Sequence, residues 1–121
     1  MVGDDRRDEQ RAWQKSAVLF DQSHHMDELI VEGPQAAAFL EHVGINSFAN
    51  FDLNRAKHFV PVTPAGHVIG DMIIFGLADH RVNIVGRPTV ANWVEYKAKA
   101  GGYDVQVDRD ERTLNNPKPR K

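Results

Sequence analysis

Apolar positions recur along this chain in short, separated blocks, and their spacing predicts a mixture of helices and strands. Residues Asp4 to Ser16 are charged and helix-permissive, with Trp13 as the first large apolar side chain. They predict a mostly solvated helix that enters the fold at Trp13. The apolar run Val18-Leu19-Phe20 is separated by the polar cluster Asp21-Gln22-Ser23-His24-His25 from a second run, Leu29-Ile30-Val31. That second run reads as a strand ending at Gly33. Pro34 next to Gly33 suits a helix start, because its φ is preset and it needs no N–H partner. Ala36, Ala37, Phe39, Leu40 and Val43 then form a stripe of helical period, and Gly44 is placed to end it.

Asn46 to Arg55 has no period and reads as a loop. Phe59-Val60-Pro61-Val62 predicts a strand near a sheet edge, where the missing N–H of Pro61 is tolerated. Thr63-Pro64-Ala65-Gly66 is a turn signal. Val68 to Leu77 predicts a longer strand interrupted at Gly70-Asp71, and a tight turn at Asp79-His80 leads into Arg81 to Val85 as a hairpin. A helix starts at Pro88, with Val90, Trp93, Val94 and Ala98 on one face and Tyr96 beside them, and ends at Gly101-Gly102. Tyr103 to Val107 alternates as a half-buried strand does. The polar remainder, ending Asn115-Asn116-Pro117-Lys118-Pro119-Arg120-Lys121, reads as a linker. The expected class is α+β, a mostly antiparallel sheet with flanking helices. The expected divisions are a helical segment over 1–16, a domain or part of one over 17–108 and a polar tail over 109–121.

Composition narrows the function classes. A chain of 121 residues suits one domain or part of one, and its 41% hydrophobic and 26% charged content is ordinary for a globular unit. The formal charge of -2 provides no field that steers it toward nucleic acid or a membrane. Cysteine is absent, which removes disulfides, thiolate metal sites and cysteine nucleophiles together and fits a reducing cytoplasm. The first residues lack the apolar core of a secretory signal. No apolar run approaches the ~20 residues that span a bilayer.

Three places carry candidate chemistry. The cluster around His24 and His25 lies between apolar runs, where polar residues often line a cleft. Its histidines suit a base or a donor to an anionic substrate. A metal site is not expected, because neighbouring residues of a strand face opposite ways and no spaced histidine pair or cysteine supports one. Asp71 is set in Val68-Ile69-Gly70-Asp71-Met72-Ile73-Ile74. A carboxylate buried there costs several kcal/mol unless paired, whereas period-two alternation would turn it to solvent. Both readings stand. Arg87 lies between Gly86 and Pro88, where a strand gives way to a helix, and a guanidinium there can grip a carboxylate by two parallel hydrogen bonds. No phosphate loop is present: the pattern beginning at Gly66 has Asp71 where its second glycine belongs.

Ordered motifs add a resemblance. Leu19-Phe20-Asp21-Gln22-Ser23-His24, Val31-Glu32-Gly33-Pro34-Gln35-Ala36 and Gly66-His67-Val68-Ile69-Gly70-Asp71-Met72-Ile73-Ile74 resemble, in order, three motifs of the glycine-cleavage T-protein family. The similarity runs from about Arg11 to Val107. Gln22 stands where that family usually has Val, His25 where it has Met, His67 where it has Gly, and Gly70 where it has the first of two Asp. With Phe59 to Pro64 and Val85-Gly86-Arg87, these departures are similar to the tetrahydrofolate-dependent O-demethylases of methoxybenzoates such as vanillate and syringate.

The resemblance implies a folate-binding fold of several subdomains around a channel, in an enzyme several-fold longer than this chain. It implies tetrahydrofolate as cofactor, with Asp71 near the reactive pterin nitrogen in both a catalytic and a cofactor-binding role. Gln22, His25 and Arg87 would surround an aromatic acid, with His25 and Arg87 near its carboxylate. Methyl transfer from an aryl ether to the folate is the implied reaction and needs no metal. Aminomethyl transfer from a lipoyl group is the alternative. A non-catalytic folate-binding module, or a subunit completed by a second chain, is a further one.

Overall fold

The computed structural model describes residues 6–21 and 26–110. Helices α1 (Arg6–Lys15), α2 (Ala36–Val43) and α3 (Pro88–Ala100) are combined with strands β1 (Asp27–Glu32), β2 (Ala56–Phe59), β3 (Met72–Ala78), β4 (Arg81–Gly86) and β5 (Gln106–Asp110), in the chain order α1-β1-α2-β2-β3-β4-α3-β5. The strands form one sheet in the order β2-β3-β4-β1-β5. Every neighbouring pair is antiparallel. The α+β class with a mostly antiparallel sheet is therefore as the sequence indicates.

Strand alternation sorts the sheet into two faces. On one face, the cross-strand row Ile74, Ile84 and Leu29 is wholly buried, with Val82 and Val31 alongside. Against it pack Phe39, Leu40 and Val43 of α2 and Val90, Ala91, Val94 and Ala98 of α3. Each fully buried Leu, Ile or Phe there stabilises the fold by about 1.5–3 kcal/mol. The other face carries the rows His58, Ile73, Val85, Glu28, Asp110 and Ala56, Phe75, Asn83, Ile30, Asp108. Its strand β3 leaves Ile73 and Phe75 exposed.

Several local expectations shift. Trp13 does not enter the core: it is 70% exposed. Its ring meets Phe20 edge-on, with centroids 5.5 Å apart. α1 has too few apolar positions to bury a face, and none of its residues is buried. Val18-Leu19-Phe20 forms no strand, and Leu19 is 98% exposed. α2 begins two residues after Pro34, with Gln35 at its N-cap, and Gly44 caps it through an N–H to the Leu40 carbonyl at 2.8 Å.

The edge strand β2 lies upstream of Pro61, since Phe59 is the residue that fills the core. Pro61 keeps an isolated bridge to Gly44 and accepts the Ile69 N–H at 3.0 Å. The break at Gly70-Asp71 is real, and β3 starts after it. The hairpin turn is as expected, with His80 in the left-handed region at φ 59°. β5 sits three residues later than the apolar alternation suggests and includes Asp108, Arg109 and Asp110. The polar stretch that reads as tail from Arg109 onward therefore begins inside the sheet. Its charges are accommodated by pairing: Arg109 binds Asp27 of β1 and Glu95 of α3.

Candidate functional site

The registers converge on one end of the sheet. Phe59 pairs with Met72, Met72 with Gly86, and Gly86 with Asp27. The next positions outward, Asp71, Arg87 and Met26, therefore gather where β3, β4 and β1 begin or end, and His58 stands one pair inward on β2. Ends of strands next to connecting loops are where side chains are held by a rigid scaffold yet stay reachable.

Asp71 lies just before β3 with its side chain 74% exposed, so the solvent-facing reading of the sequence is the one realised. It is not solitary. His58 Nε2 lies 3.0 Å from its Oδ2. Its carboxyl is held below the usual aspartate value. The hydrogen bond from His58 is the main cause; slight desolvation opposes it, and the His58 charge, its own backbone N–H and the Arg87 charge add to it. An ionised carboxylate with acceptor capacity left over can take donors from a ligand.

Gly70 explains why this segment is narrow. A Cβ there would stand 2.5 Å from Val90 Cγ2 on α3, so the backbone before Asp71 is pressed against that helix. Arg87 forms the junction between β4 and α3. Its backbone is extended, at φ -73° and ψ 149°. Its carbonyl accepts the N–H groups of Val90 at 3.1 Å and Ala91 at 3.0 Å. The helix start thus fixes the Arg87 backbone and leaves its side chain exposed, with a positive charge that acts on Asp71.

Of the four residues expected at a site, the fold brings Asp71 and Arg87 together, whereas Gln22 and His25 lie outside the described residues. His58 is a site residue that the sequence reading passes over. Beginning the strand at Ala56 instead of Phe59 would find it, because alternation then puts Phe59 inward and His58 on the face of Ile73. Beside this end the open face offers an apolar floor of Ile73 and Val85. Asn83 is 7% exposed and donates to Glu28 Oε2 at 3.3 Å. Its Oδ1 has no partner among the described residues. Among those residues, no group of three or more His, Asp or Glu is arranged to hold a metal ion. None of their helices is long and apolar enough to cross a membrane.

Comparison with known proteins gives this arrangement a context. The model of the GCVT N-terminal domain matches residues 2–115. A syringate O-demethylase of Sphingobium sp. strain SYK-6 is 57% identical over 107 residues, covering 88% of this chain and 23% of that enzyme. An aminomethyltransferase of Corynebacterium jeikeium is 35% identical over 105 residues, covering 85% of this chain and 27% of its own length. The crystal structure of aminomethyltransferase T of the glycine cleavage system from Bartonella henselae matches with a TM-score of 0.62 at 26% identity, over 73% of this chain and 25% of that one. The chain thus spans about a quarter of the length of these relatives.

Proposed function

The chain belongs to the GCVT N-terminal domain family, and we propose that it is the part of a tetrahydrofolate-dependent methyltransferase that O-demethylates a methoxybenzoate of the syringate or vanillate type. One observation carries the reading. Anionic Asp71 and cationic Arg87 share one end of the sheet beside the apolar Ile73 and Val85. An aromatic acid with a methyl ether needs such a set: a cation for its carboxylate, an apolar surface for its ring, and a separate acceptor for the folate. The 57% identity to a syringate O-demethylase supports this class over others.

Tetrahydrofolate would supply the nitrogen that accepts the methyl group. Asp71 is the residue suited to hold it, by accepting an N–H of the pterin. Arg87 would hold the benzoate carboxylate two-pronged, with Gln22 and His25 as further contacts to the aromatic acid. Such holding aligns the ether carbon with its acceptor, and alignment of two reactants can contribute roughly 7–11 kcal/mol. Stabilising the departing phenolate adds to that. A place in the cytoplasm, in the breakdown of lignin-derived aromatics, goes with this reading, and a cysteine-free sequence suits a reducing compartment. The partners would be the aromatic acid, tetrahydrofolate and the remaining part of the enzyme, in the same or a second chain.

A second reading, aminomethyl transfer, is favoured by the Corynebacterium and Bartonella relatives. It requires no arginine clamp. A chimaera decides between them: this chain replaces the matching segment of the Sphingobium enzyme and is assayed with syringate and tetrahydrofolate. Formation of 5-methyltetrahydrofolate is expected. Failure to form it, with aminomethyl transfer instead, replaces the first reading by the second. Failure of both, with the fold retained, leaves only a non-catalytic folate-binding module.

A further inference from the structure

We propose that His58 is a positioning residue for Asp71: the imidazole on the edge strand fixes the carboxylate of the neighbouring loop so that it presents a preset acceptor to a ligand at the sheet end. The inference rests on the proposed function only for the identity of that ligand. Its structural basis is separate.

His58 is mounted rigidly. Phe59, its neighbour, is wholly buried and pairs with Met72, and His58 itself pairs with Ile73. On the other side of β2, Lys57 Nζ donates to the Ser47 carbonyl, and the Val60 N–H donates to Asn46 Oδ1 at 2.7 Å. The strand therefore cannot slide without losing a core side chain and two tethers. Asp71 is flanked by Gly70, which is wedged against Val90, and by Met72, which is buried. Backbone freedom on both sides of the pair is small. What remains free is the rotation of a short, exposed carboxylate, and the 3.0 Å contact with Nε2 removes it.

The bond also defines the ring. Nε2–H donates to Oδ2, so in the neutral imidazole Nδ1 carries the lone pair. The other charged groups on this face are Arg87 beyond β4, Arg81 on β4, Glu28 and Glu32 on β1, and Asp108 and Asp110 on β5. Lys57 is turned to the opposite face. The competing explanation is an ordinary surface ion pair, which adds little to stability and does nothing else. Stability does not separate the two, because both predict little change when His58 is removed. The state of the carboxylate does.

The test uses the 121-residue chain itself. The carboxyl carbon of Asp71, followed against pH, is expected to titrate higher in His58→Ala than in wild type. In His58→Gln, whose amide can still donate, the rise should be smaller. Thermal midpoints should be alike in all three. An Asp71 titration unchanged by His58→Ala overturns the proposal. Tetrahydrofolate is then added to the wild-type chain. A shift of the Asp71 resonance that disappears in His58→Ala supports the role at the site. A wild-type chain whose Asp71 ignores tetrahydrofolate counts against the folate reading, and the titration still decides the role of His58.

Discussion

Arg109 on β5 and Asp27 at the start of β1 form a part-buried ion pair, with Nε 3.1 Å from Oδ2 and side-chain exposures of 17% and 7%. The guanidinium also reaches Glu95 at 3.2 Å and the Asn92 amide oxygen, so one residue ties the last strand to β1 and to α3. Although burial works against its charge, hydrogen bonds to Asp27 and Glu95 hold the arginine above its ordinary pKa. Removing one partner strands the other charge in a low-dielectric setting. Arg109→Ala should therefore destabilise the chain by about 3–5 kcal/mol, toward the lower end because the guanidinium keeps some access to water. Asp27→Leu combined with Arg109→Met should recover most of that loss. Urea denaturation of the two single variants and the pair measures it. Additive losses would show that the two groups are not coupled.

Acid stability follows from Glu95. Its carboxyl is held below the ordinary glutamate value, first by the hydrogen bond from Lys99 and then by that from Arg109. A folded-state pKa below the unfolded one of about 4.3 gives stability that is complete above that pH. That stability is lost as pH falls through the lower, folded value. Unfolding midpoints in urea should accordingly hold steady from pH 7 to about 5 and fall below about 4. Glu95→Gln should lower the plateau and flatten the acid limb. A variant with an unchanged acid limb would assign the loss to other carboxylates.

Gly70 supplies a packing test. The added Cβ at 2.5 Å from Val90 Cγ2 must push α3 or the loop away, and such overpacking costs about 1–3 kcal/mol. Gly70→Ala should lose stability by that amount, and Val90→Ala in the same chain should restore part of it. Gly70→Asp, which recreates the Asp-Asp pair of the resembling motif, should be tolerated only beside the smaller residue. Equal stability of Gly70→Ala and wild type in thermal denaturation would mean that the loop yields freely.

Most of the sheet is legible from period and turn chemistry. The hairpin of β3 and β4, the helix after Pro88 and the stripe of α2 follow from spacing alone. The errors have a common physical origin. Apolar content puts β2 too late, because Val60-Pro61-Val62 is more apolar than Ala56-Lys57-His58, whereas the register is set by one aromatic, Phe59, in the core. It also cuts β5 short, because Asp108, Arg109 and Asp110 look like solvated chain. The partners of Arg109, Asp27 and Glu95, are remote in sequence, and no local pattern announces them. Size alone points Trp13 to the core, yet a helix with so little other apolar surface has nothing to pack with. At the site, Asp71 stands out by its contrast with apolar neighbours, and Arg87 by its junction. His58 has no such contrast and becomes visible only through the sheet pairing.

Arg87 offers the most direct test of the substrate class. It is exposed at the β4–α3 junction with its backbone fixed by two helix-start hydrogen bonds, so its replacement should leave the fold intact. An arginine–carboxylate pair contributes on the order of 1.5–3 kcal/mol net, and its loss should weaken binding of an aromatic acid about ten- to hundred-fold. Arg87→Lys should not restore binding fully, because an ammonium cannot form the two parallel bonds. The loss should also be selective. Vanillate carries the carboxylate and guaiacol does not, so Arg87→Ala should weaken the first strongly and the second little. Both ligands are measured by calorimetry against wild type and variant, in the chimaera that supplies the rest of the enzyme. Equal losses would mean that Arg87 shapes the wall of the site and does not read the substrate. In that case the geometric ground for preferring a methoxybenzoate over a lipoyl-bound aminomethyl group would be gone, and the 57% identity would have to carry the distinction by itself.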